Sequence, residues 1–219
     1  MIFVACSGFP VPVSRYFQSF NAVEISETEL GIPGAGTRRR WLREAPRGSA
    51  FSVLAPKRIG ASGFAVDREN VDSLNAVGKF ARLMKARALV VTEEGKFGPT
   101  RTNRSKLRKF FDALPEGLPQ TVVDLPHWSH DQIESVAGGF GVVIAQDLLK
   151  SQPPASGKLA YVRLPGPSGY RSRYDEASIE KIARRCARSQ AEVTLCVFCN
   201  IDRFVNATSA RALLKKMRK

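Results

Sequence analysis

Charged and polar residues set inside or just after strand-like apolar runs are the groups in this sequence most able to do chemistry. Glu24 lies between Val23 and Ile25 in the stretch FNAVEISET, residues 20–28. A lone buried carboxylate there would be costly unless it is paired or put to use. Alternation with a period of two sends Val23 and Ile25 to one face and Ala22, Glu24 and Ser26 to the other. Asp124 sits in TVVDL, Asp147 follows GVVIAQ and Arg163 lies within YVRL, while Asn200 and Asp202 come just after the run ending at Phe198. Lys57 and Arg58 stand just beyond another such run, Phe51 to Ala55, and His127 just beyond TVVDL. Carboxylates facing Arg and Lys could do acid–base work or hold a divalent cation. They could equally brace the fold as ion pairs.

The elements that must position these groups follow from the hydrophobic pattern. Eight short runs rich in β-branched or aromatic residues predict strands: Ile2 to Cys6, Ala22 to Ser26, Phe51 to Ala55, Ala88 to Thr92, Thr121 to Leu125, Val142 to Ala145, Leu159 to Leu164 and Val193 to Phe198. Helical stripes fall between most of them, over Val71 to Ala86, Arg104 to Leu114 and Asp175 to Ser189, with a further basic helix from about Thr208. Strand–helix alternation repeated eight times predicts an α/β fold, a single TIM-like (β/α)8 barrel. The sixth helix is expected to be reduced or missing, because Asp147 to Gly157 holds at most a short turn before Pro153 and Pro154. In such a barrel the loops after the strands share the face where active sites lie.

An open doubly wound sheet is the rival. It needs a glycine-rich phosphate turn after its first strand, and here Pro10 and Pro12 follow Ser7-Gly8 and argue against a helix start close by. The run GIPGAG, residues 31–36, follows strand two and contains Pro33, so it reads as a turn into a helix capped near Thr37. With 219 residues, the chain is expected to form one barrel domain over 1–219. No apolar run approaches the ~20 residues that cross a bilayer, so no membrane partner is expected. Four cysteines, Cys6, Cys186, Cys196 and Cys199, fall in strands and a helix rather than a loop-rich framework, which suggests a reduced, cytoplasmic setting. Cys196 and Cys199 are three apart on a strand, so their thiols should diverge. Ser7 and Ser26 end strands, but neither stands in a nucleophile elbow.

Charge is the outlying bulk property. Thirty-four basic residues against twenty acidic give a net charge of +14, with Arg outnumbering Lys. Such an excess favours polyanionic partners, and the planar fork of Arg suits phosphate. Placed on the barrel, Arg38 follows strand two, Lys57 and Arg58 follow strand three, Lys96, Arg101 and Arg104 follow strand four, and Arg171 and Arg173 follow strand seven. From Gly95 to Phe111 there is no acidic residue. Phe97, Tyr170 and Tyr174 are candidates for stacking on bases or sugars. A zinc phosphodiesterase centre lacks ligands, since His127 and His130 are the only imidazoles. No cofactor is predicted, and a divalent metal could be held only by carboxylates.

Phe20 to Ile25 with Thr28, then Ile32-Pro33, Trp41, Ala45-Pro46 and Phe51-Ser52-Val53, resemble the opening of the YecE-like family, the domain of unknown function 72. Val123-Asp124 with His127 and Ser129, Tyr161 to Leu164 with Gly166, Tyr170 and Tyr174, and Asn200 with Asp202 are similar to its later motifs. The resemblance runs almost end to end, implies a TIM-like barrel and brings no established activity. Departures from the pattern cluster where a site would lie: Leu54, Gly60 to Ser62, Thr92-Glu93, Pro126, Pro165 and Ile201. The leading expectation is a barrel whose strand-end face binds a phosphate-bearing or polyanionic ligand, nucleic acid or a small phosphorylated molecule, with Glu24, Asp124, Arg163 and Asn200 lining the pocket and Lys57, Arg58, His127, Asp147, Tyr170 and Asp202 around it. The alternatives are a hydrolase or lyase using Glu24 or Asp124 as acid–base, and a degenerate scaffold without catalysis.

Overall fold

Strands of a parallel sheet covered on both faces must be almost continuously apolar, and the eight apolar runs do become strands. In the computed structural model, which describes residues 1–152 and 156–217, these are β1 Ile2–Cys6, β2 Ala22–Ile25, β3 Ala50–Leu54, β4 Ala88–Thr92, β5 Gln120–Asp124, β6 Val143–Ile144, β7 Leu159–Leu164 and β8 Val193–Phe198. Among the described residues the α-helices are α1 Val13–Ser19, α2 Ala35–Glu44, α3 Lys57–Ala61, α4 Arg68–Leu83, α5 Arg101–Asp112, α6 His130–Ala137, α7 Glu176–Ala187 and α8 Arg203–Lys216. The architecture is the α/β type with parallel strands.

The strands form two ladders rather than one continuous ring. One sheet has the order β1-β8-β7, with Val4 opposite Cys196 and Arg163 opposite Val197. The other has the order β2-β3-β4-β5-β6, with Thr92 opposite Asp124. Beyond the named strands, single parallel bridges pair Ser7 with Glu24 and Gln146 with Val162. Closure of the ladders into a ring is not detected among the described residues, while the α/β fold with parallel strands is the one expected from the sequence.

Helix starts follow local capping chemistry. Asp67, Thr100, Ser129 and Asp175 each accept a hydrogen bond from the backbone N–H three residues on, at the heads of α4, α5, α6 and α7. At Ser129 the side chain of Gln132 returns the bond, completing a capping box. The expectation that Pro10 and Pro12 forbid a nearby helix is overturned, because α1 begins directly after Pro12. A proline at that position forfeits only an N–H that has no intrahelical acceptor. Helix α2 likewise begins at Ala35, ahead of the expected cap at Thr37, with Arg38 N–H donating to Gly34 O.

The chain divides into two compact units. Unit 1 comprises Met1–Glu24, Arg40–Ala50 and Ala145–Lys219. Its aromatic centre is Tyr16, whose hydroxyl donates to Ala22 O at 2.7 Å and accepts from Cys6 N–H at 2.9 Å. Phe9, Phe17, Phe20 and Phe204 pack around that ring, and Trp41 packs on Phe9. Between β6 and β7 the described residues hold a turn after Asp147 and no helix, as expected; Pro153 and Pro154 lie outside the described residues. Carbonyls that a helix would have bonded internally are met instead by Arg185 from α7, whose Nη1 lies 2.8 Å from Leu148 O, 2.9 Å from Ser151 O and 3.3 Å from Leu149 O.

Unit 2 comprises Ile25–Arg39 and Phe51–Ile144. Phe64, buried at a φ of +60° directly after Gly63, packs against Phe97 and Phe110 at centroid distances of 4.9 and 5.3 Å. Phe97 in turn stacks on Trp128 at 5.9 Å. Gly60 in α3 fits against the end of β4: a Cβ there would lie 2.2 Å from Thr92 O and 2.9 Å from Glu94 N. Both are backbone atoms that cannot swing away. Gly60→Ala is therefore expected to destabilise the protein by about 1–3 kcal/mol through overpacking, read as a lower urea midpoint at an unchanged slope.

Candidate functional site

Glu24 is fully buried on β2 in unit 1, and both its oxygens are used. Tyr161 and Arg163 are two apart on β7, so both reach the same face. The Tyr161 hydroxyl donates to Oε2 at 2.7 Å. Arg163 donates from Nε to Oε2 at 3.1 Å and from Nη2 to Oε1 at 3.2 Å, a two-point ion pair. Its side chain is 16% exposed. Cys199 Sγ lies 4.0 Å from Oε1. The alternation in the sequence predicts the face taken by Glu24, and the structure pairs that side chain with Arg163. What it assembles is a carboxylate held by charge-assisted bonds, an arrangement suited to positioning Arg163 more than to removing protons.

The remaining unit 1 candidates are bound into local structure. Asn200 is buried, with its Nδ2 donating to Ser172 O and its Oδ1 accepting from Asn206, so its amide braces the loop after β7. Asp202 pairs with Arg173 at 3.0 Å. Asp147 accepts from Leu149 N–H and pairs with Lys150 at 3.5 Å. Tyr170 is 55% exposed, its hydroxyl 3.5 Å from Arg203, and Arg171 is exposed nearby in the chain. Tyr174 does not offer a stacking face: it is buried, lies edge-on to Phe198, and accepts Gly166 N–H on its hydroxyl, and burial pushes that hydroxyl's pKa up. The thiols diverge as the spacing predicts, Cys196 toward Cys186 of α7 and Cys199 toward Glu24. Burial likewise pushes the Cys6 thiol up to about 12.

Unit 2 carries Arg38, Lys57, Arg58, Lys96, Arg101, Arg104, Asp124 and His127. Arg58 is engaged by Glu69 at 2.6 Å. Arg104 is braced at three points: Nε to Pro99 O at 3.2 Å, Nη1 to Ser135 Oγ at 2.9 Å, and its guanidinium 5.5 Å from the Trp128 ring centroid. Phe97 is buried between Phe64 and Trp128, so like Tyr174 it cannot stack on a ligand. Leu54, one of the departures from the family pattern, is a buried apolar side chain.

Sequence reasoning singles out His127 but misses its partner. Glu93, just past β4, pairs through Oε1 with His127 Nδ1, and its side chain is only 1% exposed. Burial pushes its carboxyl pKa upward, and the bond to His127 opposes that shift only in part. The one signal in the sequence is the Thr92-Glu93 departure from the family pattern. Asp124 closes β5 opposite Thr92, with its carbonyl accepting Glu93 N–H at 3.1 Å. Among the described residues no group of three or more His, Cys, Asp or Glu could hold a metal ion. Nor, among them, is any helix long and apolar enough to cross a membrane.

A family profile described as "Protein of unknown function DUF72" matches residues 12–219. Among solved structures, a DUF72 family protein from Enterococcus faecalis superposes with a TM-score of 0.75 at 16% identity, covering 98% of this chain and 96% of that one. A DUF72 family protein from Thermotoga maritima gives 0.71 at 17% identity over 98% and 99%. A xylose isomerase-like TIM barrel protein from Mycobacterium smegmatis, solved with magnesium, gives 0.58 at 9% identity over 97% and 96%. These likenesses establish a fold of TIM-barrel type. No curated protein matches the chain.

Two outcomes follow for the buried carboxylates. Glu24→Gln should break the two-point ion pair with Arg163 and cost about 2–3 kcal/mol, somewhat under the figure for a fully buried pair because Arg163 is partly solvated. Adding Arg163→Met should restore part of that stability in chemical denaturation. Glu93 has a folded-state pKa above its ordinary 4.5, so the folded state binds the extra proton and wild-type stability falls as pH rises through that window. The Tm of Glu93→Gln relative to wild type should therefore increase from pH 4 to pH 7.

Proposed function

Since the chain belongs to the DUF72 family, whose description carries no activity, we propose from its own residues that it binds a phosphate-bearing polyanion, with nucleic acid the leading candidate. The observation that carries this reading is the cationic segment of unit 2. Lys96, Arg101, Arg104, Lys106, Arg108 and Lys109 occupy residues 95–111 without one acidic residue. Among the described residues none of these six is in an ion pair. All but the half-buried Arg104 are exposed, and cations with no internal counter-charge are free to neutralise phosphates and release their counterions.

Local structure supports the same use. Thr100 caps α5, whose first turn holds no acid to offset the positive end of the helix dipole. Arg104 is held against Trp128 and Ser135, and Arg108 Nη2 donates to Ser135 O at 2.9 Å, so two of the guanidinium groups are ordered before any ligand arrives. Acid–base chemistry at Glu24 is the weaker reading, because Tyr161 and Arg163 already occupy its oxygens.

Fluorescence anisotropy with single- and double-stranded oligonucleotides tests the proposal. Log affinity should fall linearly with log salt, and Arg101→Ala with Arg104→Ala should reduce the magnitude of that slope by about 2, one for each phosphate no longer neutralised. Salt-independent binding, or none at micromolar protein, would remove the polyanion from consideration.

A further inference from the structure

Glu93 and His127 leave two features that the polyanion reading does not use. The Glu93 side chain is almost wholly buried, and while Oε1 pairs with His127 Nδ1, Oε2 has no hydrogen-bond partner among the described residues. A buried carboxylate satisfied on one oxygen is expensive to keep. The imidazole it holds is 52% exposed, and its other nitrogen, Nε2, has no partner among the described residues. A carboxylate that accepts Nδ1–H fixes the neutral tautomer whose Nε2 carries the lone pair.

The neighbourhood supplies phosphate chemistry. Trp128, next in the chain to His127, donates its indole N–H to Phe97 O and lies under the Arg104 guanidinium. Phe97 follows Lys96, three residues beyond Glu93. The imidazole and the cationic segment thus share the loops after β4 and β5. Ser129, two residues on, caps α6 and anchors the far side of the His127 loop.

We infer that Glu93 and His127 form a proton-transfer dyad that hydrolyses phosphodiesters, His127 as the catalytic base and Glu93 as the residue that positions it. The inference rests on the phosphate-ligand reading for its substrate class. Nε2 takes a proton from a water molecule as the water oxygen bonds to phosphorus. The phosphorus–oxygen bond to the leaving group breaks, the leaving oxygen keeps that electron pair, and the imidazolium gives its proton to solvent. Lys96, three residues past Glu93, and Arg104, held against Trp128 next in the chain to His127, would balance charge on the phosphoryl oxygens.

The full chain is tested with bis(p-nitrophenyl) phosphate, whose phenolate leaving group needs no protonation. Wild type should release p-nitrophenolate above the protein-free rate. His127→Ala and His127→Gln should each lower kcat by about 100-fold, the usual contribution of a general base. Glu93→Gln keeps an acceptor for Nδ1–H and the side-chain shape, so a purely structural Glu93 would leave kinetics unmoved; the dyad predicts about a 10-fold fall in kcat at constant KM. Circular dichroism confirms folding, and whichever His127 variant folds decides the matter. No release by wild type, or equal release by a folded His127 variant, overturns the dyad. Oligonucleotide binding measured on the same samples separates the two readings: binding without hydrolysis defeats the dyad alone, and hydrolysis without binding defeats the polyanion reading alone.

Discussion

A charge placed inside a parallel sheet must bring its own solvation, and that requirement organises unit 1 around Glu24. Its side chain takes a hydroxyl and a guanidinium from β7, while its carbonyl accepts Gly8 N–H at 2.7 Å and its backbone bridges Ser7 beyond β1. One residue of β2 is therefore tied to two other strand ends, by main chain on one side and side chain on the other. Such a pair contributes little net stability, because desolvation offsets most of the attraction. Its effect is on geometry: the two-point contact with Glu24 fixes how the Arg163 guanidinium is oriented, and with it the register of the strand that carries it.

Much of this was legible from the amino-acid pattern. The eight apolar runs became eight strands because parallel strands leave no alternative to burial, and the period of two set Glu24 apart from Val23 and Ile25. Helix boundaries were less readable. α1 was masked by Pro12, which is harmless at a helix start, and α3 is a single turn whose Gly60 reads as a breaker although it is required by the backbone of β4. Aromatic residues in loops mislead: Phe97 and Tyr174 look like stacking surfaces, but each fills the core beneath its loop. The Glu93–His127 contact spans 34 residues and joins two loops, so no local spacing announces it.

Departures from the family pattern are instructive for the same reason. Leu54 is packed, Gly60 is sterically obligatory, and Glu93 is buried against an imidazole. These are built environments with specific contacts, as expected of positions under structural constraint. Fold likeness at 16–17% identity carries architecture to this chain and leaves function to its own side chains.

The cysteines carry a practical consequence. Cys6, Cys186 and Cys196 are buried, whereas Cys199 is partly open to solvent and sits 4.0 Å from the Glu24 carboxylate. Thiol labelling of the native protein would accordingly favour a single attachment point. A fluorophore or spin label placed there would report on the interior ion pair without an engineered cysteine.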